Sequence, residues 1–232
     1  MFSKLKRYYY NLTHPVIGEV WELHRVTNKH ASTELQRMYE ITPQRLEHLI
    51  VDYLNKGYVF ISMADVRRTM LNELKINQKF VAITLDDGYR DNYEIAYPIF
   101  KEYNVPFCIY LLQKEVTGAE PGHFKMLTKE QILNLDKNPM CTFGSHTYGH
   151  PHLAELGYEE QYKEIVTCHQ WVEQLLGHPI YDFSYPYGSY NQDTIKILNK
   201  IGVRQCPKAW GGKIRRGDKS ILEIARKLIT EK

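Results

Sequence analysis

No apolar run in this 232-residue chain approaches the ~20 residues needed to cross a bilayer, so no membrane-spanning helix is expected. The amino-terminal stretch MFSKLKRYYYNLTHP is basic and aromatic but lacks the apolar segment of a signal peptide, which points to a cytoplasmic protein. Charge of one sign is also missing. Thirty Lys and Arg stand against 27 Asp and Glu, and a net +3 gives no case for a nucleic-acid partner. The four cysteines, Cys108, Cys141, Cys168 and Cys206, are far apart in sequence. They form neither a metal knuckle nor a redox pair, and nothing in them demands an oxidising compartment. Repeats, low-complexity tracts and linker-like stretches are absent. A single domain over 1–232 is therefore expected, with 1–18 as an amino-terminal arm that packs its Lys4, Lys6, Arg7 and Tyr8–Tyr10 cluster on its own domain.

What is present is an alternation. Strand-length runs rich in β-branched and aromatic residues occur at 19–26, 58–63, 80–86, 107–112, 141–146, 181–186 and 203–207. A further run, 221–229, could be strand or helix. Between them lie helical patterns with recognisable ends. Thr42-Pro43 opens a helix carrying Leu46, Leu49, Ile50, Tyr53 and Leu54 on one face, with Gly57 to end it. Thr128 and Gln131 form a capping box, 157–176 runs helical up to Gly177, and Asn191 caps a helix that stops at Gly202. Seven strands alternating with helices imply an α/β fold with mostly parallel strands, closed or partly open as a barrel. Chemistry in such folds lies at the carboxyl ends of the strands.

Three polar clusters fall at such ends. Thr84-Leu85-Asp86-Asp87-Gly88 places two adjacent carboxylates after a buried strand. A cation on one would relieve their repulsion and leave the other as a base; a simple turn is the plainer alternative. His146 and His150 are four apart, so one helical turn would converge both imidazoles, with His152 as a substitute ligand. Two imidazoles and a carboxylate make an open catalytic metal site that suits zinc, though cobalt, nickel and iron accept it too. Ser184-Tyr185-Pro186-Tyr187-Gly188 can form a groove wall, and a backbone N–H after the Pro turn can donate to an oxyanion. Tyr89 and Trp210 are further groove candidates, and the 18 tyrosines suit a surface that meets sugars.

Together these motifs resemble the polysaccharide deacetylase family, carbohydrate esterase family four, over roughly residues 19–205. The family's Thr-Phe-Asp-Asp-Gly appears as Thr84–Gly88, its His-Ser/Thr-x-x-His as His146–His150, and its Pro-Tyr turn as Pro186-Tyr187. The resemblance implies a distorted (β/α)7 barrel with Asp86 as catalytic base. It implies Asp87, His146 and His150 as metal ligands and the Tyr187 N–H as oxyanion donor. The implied activity is metal-dependent removal of N-acetyl groups from an acetylated amino-sugar polymer, oligomer or glycan precursor. Two departures stand out. Ser184 occupies the place of the family Arg that holds the base, and Arg226 is a candidate replacement. The carboxy-terminal Leu-x-His that supplies the general acid is missing, since no histidine follows His178. Family members that look circularly permuted, notably those acting on poly-N-acetylglucosamine, carry this His near the amino terminus, which makes His24 the expected acid. A small non-sugar amide as substrate, a carbohydrate-binding protein that has lost catalysis, and a structural metal site remain as alternatives.

Overall fold

The computed structural model describes residues 12–28, 31–118 and 124–231. The Lys4–Tyr10 part of the expected amino-terminal arm lies outside them, and its residues 16–18 belong to the first strand. Six strands form most of a barrel wall: β1 (Val16–Leu23), β2 (Phe80–Leu85), β3 (Phe107–Leu111), β4 (Cys141–Ser145), β5 (Pro207–Gly211) and β6 (Ile224–Leu228). Parallel pairings run β4-β3-β2-β1-β6-β5. The seventh position is held by single bridges, Ser145 to Phe183 and Asp182 to Gln205, which join β4 to the segment leading into β5 and close the ring. The fold is α/β with mostly parallel strands, as the sequence pattern predicts.

Several strand assignments shift: the run at 203–207 meets β5 only at Pro207, and the run at 181–186 gives only single bridges. The run at 58–63 contributes only Val59–Phe60, paired to the first residues of β2 beside the wall. Its place in the count is taken by β6, within the run that could have been helix. Ile224 and Arg226 are buried on it while Lys227 is exposed, an alternation that only a strand satisfies.

A period of two sorts each strand between layers. Trp21 and Leu23 of β1 and Val81, Ile83 and Leu85 of β2 pack in one apolar cluster with Leu46 and Ile50 of the helix Pro43–Asn55. Trp21 meets Tyr53 edge-on at 4.9 Å. Val20, Phe80, Ala82, Cys108, Tyr110 and Ile224 form a second cluster, closed by Met63, Val66 and Met70 of the helix Met63–Met70. Gly144 makes room for the Tyr110 ring, since a Cβ there would stand 2.6 Å from it. Continuing each interior row one step further reaches polar residues: Glu22 and His24 after Val20, Thr84 and Asp86 after Ala82, and Arg226 after Ile224. The interior is apolar until the strands end, and charged where they end.

Helix ends follow the expected chemistry. The Thr42 side chain accepts from Arg45 N, Thr128 and Gln131 form a reciprocal capping box, and Asn191 accepts from Asp193 N and Thr194 N. Leu54, expected on the apolar face of its helix, is 40% exposed; it lies at the last turn, past the wall. All four cysteines are buried and free. Among the described residues no helix is long and apolar enough to cross a membrane.

Candidate active site

Asp86 and Asp87 follow β2 directly. The Asp86 N–H bonds to Leu23 O of β1 at 2.9 Å, and Asp87 takes a left-handed backbone (φ 72°), so adjacent carboxylates leave the strand in different directions. Asp86 turns to Arg226, whose Nη1 and Nη2 each donate to one carboxylate oxygen at 2.8 Å. Burial alone would raise the Asp86 carboxyl, but the guanidinium overrides burial and holds it well below the usual carboxylate range. Ser184, in the position of the family Arg, adds an O–H donor to Asp86 at 3.3 Å and accepts from Arg226 at 3.1 Å. The cation expected near Asp86 is therefore supplied by β6, from the other end of the chain.

Asp87 turns to two histidines. Its Oδ1 lies 3.7 Å from Nε2 of His146 and 3.7 Å from Nε2 of His150. The convergence differs from the helical turn the spacing suggests. Thr147 and His150 adopt left-handed backbones (φ 68° and 62°), and the His150 N–H bonds to Thr147 Oγ1 at 3.0 Å. A tight loop replaces the helix because it must leave β4 and double back over the barrel mouth. The His146 Nδ1 faces Ser184 O at 2.8 Å. A carbonyl only accepts, so this nitrogen carries the proton and the Nε2 lone pair points at the cluster. The two Nε2 atoms stand 3.1 Å apart. Burial, then His146, pushes the His150 imidazole down to about 4, which keeps it neutral and free to ligate.

These three residues fit a cation. Their ligand atoms lie within 4.8 Å of one another, Asp87 Oδ1 is buried with no hydrogen-bond partner, and the imidazole lone pairs converge on it. His152 stays outside the group: its ring stacks on Tyr187 at 4.1 Å, so the substitute-ligand expectation is not met. No fourth protein ligand joins the cluster among the described residues, as an open catalytic site requires.

The site opens into a cleft of 710 Å³ whose lining includes Glu22, His24, Tyr39, Tyr89, Tyr187 and Trp210. Pro186 is buried and sets the turn, and Tyr187 has φ 56°, with its ring edge-on to His150 at 4.5 Å. Among the described residues no backbone hydrogen bond engages the Tyr187 N–H. Trp210 is 67% exposed at the mouth, its indole close to the Pro186–Gly188 turn. His24 sits just past β1, its ring 4.6 Å from that of Tyr39 and its Nδ1 buried without a partner. Sequence reasoning missed Glu22, which lies beside Arg226 at 3.5 Å. The alternation Glu22-Leu23-His24 was the available signal, since it puts both polar residues on one face of β1.

A sequence model of the polysaccharide deacetylase family matches residues 74–206, more than half of the chain. The chain belongs to the polysaccharide deacetylase family. The Bacillus subtilis (strain 168) protein YxkH is 30% identical over 150 residues, covering 65% of this chain and 52% of that protein. A poly-beta-1,6-N-acetyl-D-glucosamine N-deacetylase of Staphylococcus epidermidis is 24% identical over 139 residues, 56% of this chain and 48% of the relative. The chain thus spans about half the length of these relatives. Among solved structures, IcaB from Ammonifex degensii superposes with a TM-score of 0.81 at 24% identity, covering 93% of this chain and 92% of that one. The Streptococcus pyogenes deacetylase PplD, solved with acetate, gives 0.79 at 22%, covering 93% of each chain. The barrel of this deacetylase family is accordingly the fold of the chain.

Proposed function

We propose that this family member hydrolyses the N-acetyl group of an acetylated amino-sugar polymer, oligomer or glycan precursor. The observation that carries the reading is the pairing, in one cleft, of the Asp87-His146-His150 group with an aspartate clamped by Arg226. Asp87, His146 and His150 would hold a divalent cation, with zinc the best match to two imidazoles and one carboxylate. Such a cation, when bound, acts as a Lewis acid and lowers the pKa of water toward ~7.

The chain's own residues supply the remaining parts. Asp86 takes the proton of the attacking water. Arg226 keeps it ionised and aimed, so it is a ready acceptor although a weak base, and it needs a water already made acidic. The Tyr187 N–H donates to the oxyanion that develops on the acetyl carbonyl. His24 protonates the departing amine, an otherwise poor leaving group. The exposed rings of Tyr187 and Trp210 give the sugar faces to lie against. The absent family Arg had favoured a sugar-binding protein without catalysis; the Arg226 clamp on Asp86 removes that support.

The test is acetate release from N-acetylglucosamine oligomers by the zinc-loaded protein, beside Asp86→Asn and His24→Ala. Release by the parent, abolished in Asp86→Asn and reduced by about 10²–10⁴ in His24→Ala, is expected. Tight zinc binding with no release from any oligomer would sink the reading.

A further inference from the structure

Arg226 has five N–H groups, and every one is already engaged. Nε donates to Lys208 O (3.3 Å), Nη1 to Asp86 Oδ1 (2.8 Å) and Thr84 Oγ1 (3.2 Å), and Nη2 to Asp86 Oδ2 (2.8 Å) and Ser184 Oγ (3.1 Å). Glu22 is 95% buried and 3.5 Å from Arg226 Nε, but the fork has no donor left for it, and Glu22 Oε2 has no hydrogen-bond partner. A buried carboxylate without a donor is costly, so a partner is expected close by. The candidate shares its face of β1. His24 offers a ring nitrogen within 4.8 Å of the carboxylates of Glu22 and Asp86, and its Nδ1 is buried and equally unpartnered. Burial raises the Glu22 carboxyl against the pull of Arg226, as expected of an acid whose hydrogen bonds are incomplete.

The charges around this group give the same answer. Glu22 and Asp86 bring two negative charges, and the one positive charge of Arg226 is 2.8 Å from Asp86 but 3.5 Å from Glu22. Asp87, His146 and His150 form a separate group, with the Asp87 carboxylate 3.7 Å from both imidazoles. A second cation beside Glu22 would be repelled by the guanidinium that already fills this corner, which argues against reading Glu22, His24 and Asp86 as a further metal site.

We propose that Glu22 is a positioning residue for His24. Its carboxylate accepts the imidazole Nδ1–H when the ring turns toward it, so the other ring nitrogen faces the cleft with a proton to give. The inference rests on the deacetylase reading and deepens it by naming the group that sets up the acid. A ring nitrogen of His24 already lies within 4.8 Å of Glu22 and has to close to hydrogen-bonding distance.

The experiment uses two acetyl donors that differ in their need for an acid. An N-acetylglucosamine oligomer must have its amine protonated, whereas 4-nitrophenyl acetate releases a phenolate that leaves unaided. Glu22→Gln is expected to lower kcat/KM on the oligomer by at least about tenfold and on the ester by less than about threefold. Glu22→Asp should recover part of the loss. In the double variant with His24→Ala, Glu22→Gln should add nothing to the loss caused by His24→Ala alone, because both act through one proton transfer. Zinc affinity, measured by chelator competition, should match the parent. Equal losses on amide and ester, or additive effects in the double variant, would overturn the proposal and make Glu22 a support of Asp86 or of the barrel. Failure of the deacetylase reading would look different: the unmodified parent would leave the oligomer intact.

Discussion

On one side of the cleft Asp87 faces two imidazoles; on the other, one residue earlier, Asp86 faces a guanidinium. Both carboxylates are buried at the same strand end. Neither imidazole donates a hydrogen bond to Asp87 Oδ1, which is buried without a partner and invites a cation. Arg226 answers Asp86 completely and repels any further cation there. Adjacent, chemically identical residues thus suit the proposed roles of ligand and proton acceptor by what they face, and the αL turn at Asp87 makes them face different things.

The largest expected effect tests the ligand side. His146→Ala should abolish tight zinc binding and lower deacetylation by more than about a thousandfold, several kcal/mol of transition-state stabilisation. Folding should survive, because the β2–β1–β6 side keeps its ion pair. Retained activity in His146→Ala, measured as acetate release with zinc quantified by chelator competition, would break the division between the two carboxylates.

The other side should respond in stability as well as rate. Arg226→Met leaves Asp86 buried and unpaired, a change that costs about 3–5 kcal/mol in comparable cases. At this chain length about 2–4 °C of melting temperature accompanies each kcal/mol, so a fall of roughly 10 °C is expected in a thermal melt. Asp86→Asn should relieve much of that loss in the Arg226→Met background, since only the Glu22 carboxyl, 3.5 Å from Arg226, then remains to be answered. A double variant as unstable as Arg226→Met alone would show that Arg226 acts by packing.

The same contrast decides how much was legible beforehand. Asp86, Asp87, His146 and His150 are read from short contiguous motifs, because each motif is one strand end and its loop. His24 and Arg226 carry no local motif. They become partners of Asp86 only because β1 lies between β2 and β6, with Leu23 beside Leu85 and Trp21 beside Lys227. Their pairing is a property of topology, available only as the argument that first and last barrel strands adjoin. Glu22 was missed for a related reason: within EVWELHRV it reads as an ordinary strand residue until the row it shares with His24 is known to face inward. The run at 58–63 reads as a longer strand than the Val59–Phe60 it gives, since an apolar run gives no sign of how many of its residues find a partner strand.

A third buried aspartate away from the ion pair sharpens the comparison. Asp182 is met by an amide instead of a guanidinium, Gln205 Nε2 donating to it at 2.6 Å. Burial therefore prevails, and its carboxyl is pushed up to about 7. Below about pH 4 the group is neutral in the folded and unfolded chain alike. From there to about 7 the unfolded chain releases the proton while the folded protein keeps it, so this residue's contribution to stability falls as pH rises through that window. Asp182→Asn should remove that slope and raise stability at pH 7.5 by about 1–3 kcal/mol relative to pH 4.5 behaviour. Urea midpoints at the two pH values provide the check. An unchanged slope would mean that Asp182 stays ionised without a cationic partner, and the argument from partners would lose its second case.

The smallest effect separates the two sides at the cleft mouth, where each carries one exposed aromatic ring. Trp210 is on β5, beside the strand of Arg226, while the Tyr187 ring touches His150. Removing the Trp210 ring should raise KM for long oligomers by about three- to tenfold, roughly 1 kcal/mol, and leave kcat in place. Its ring packs on a turn and on solvent, so it binds ground and transition states alike. Tyr187→Ala should raise KM similarly but also lower kcat, because its ring packs against His150 and its backbone N–H is the proposed oxyanion donor. A kcat loss in Trp210→Ala equal to that in Tyr187→Ala would mean that the indole holds the sugar against the reacting groups. The division of the cleft into a chemical side and a binding rim would then have to be redrawn at β5.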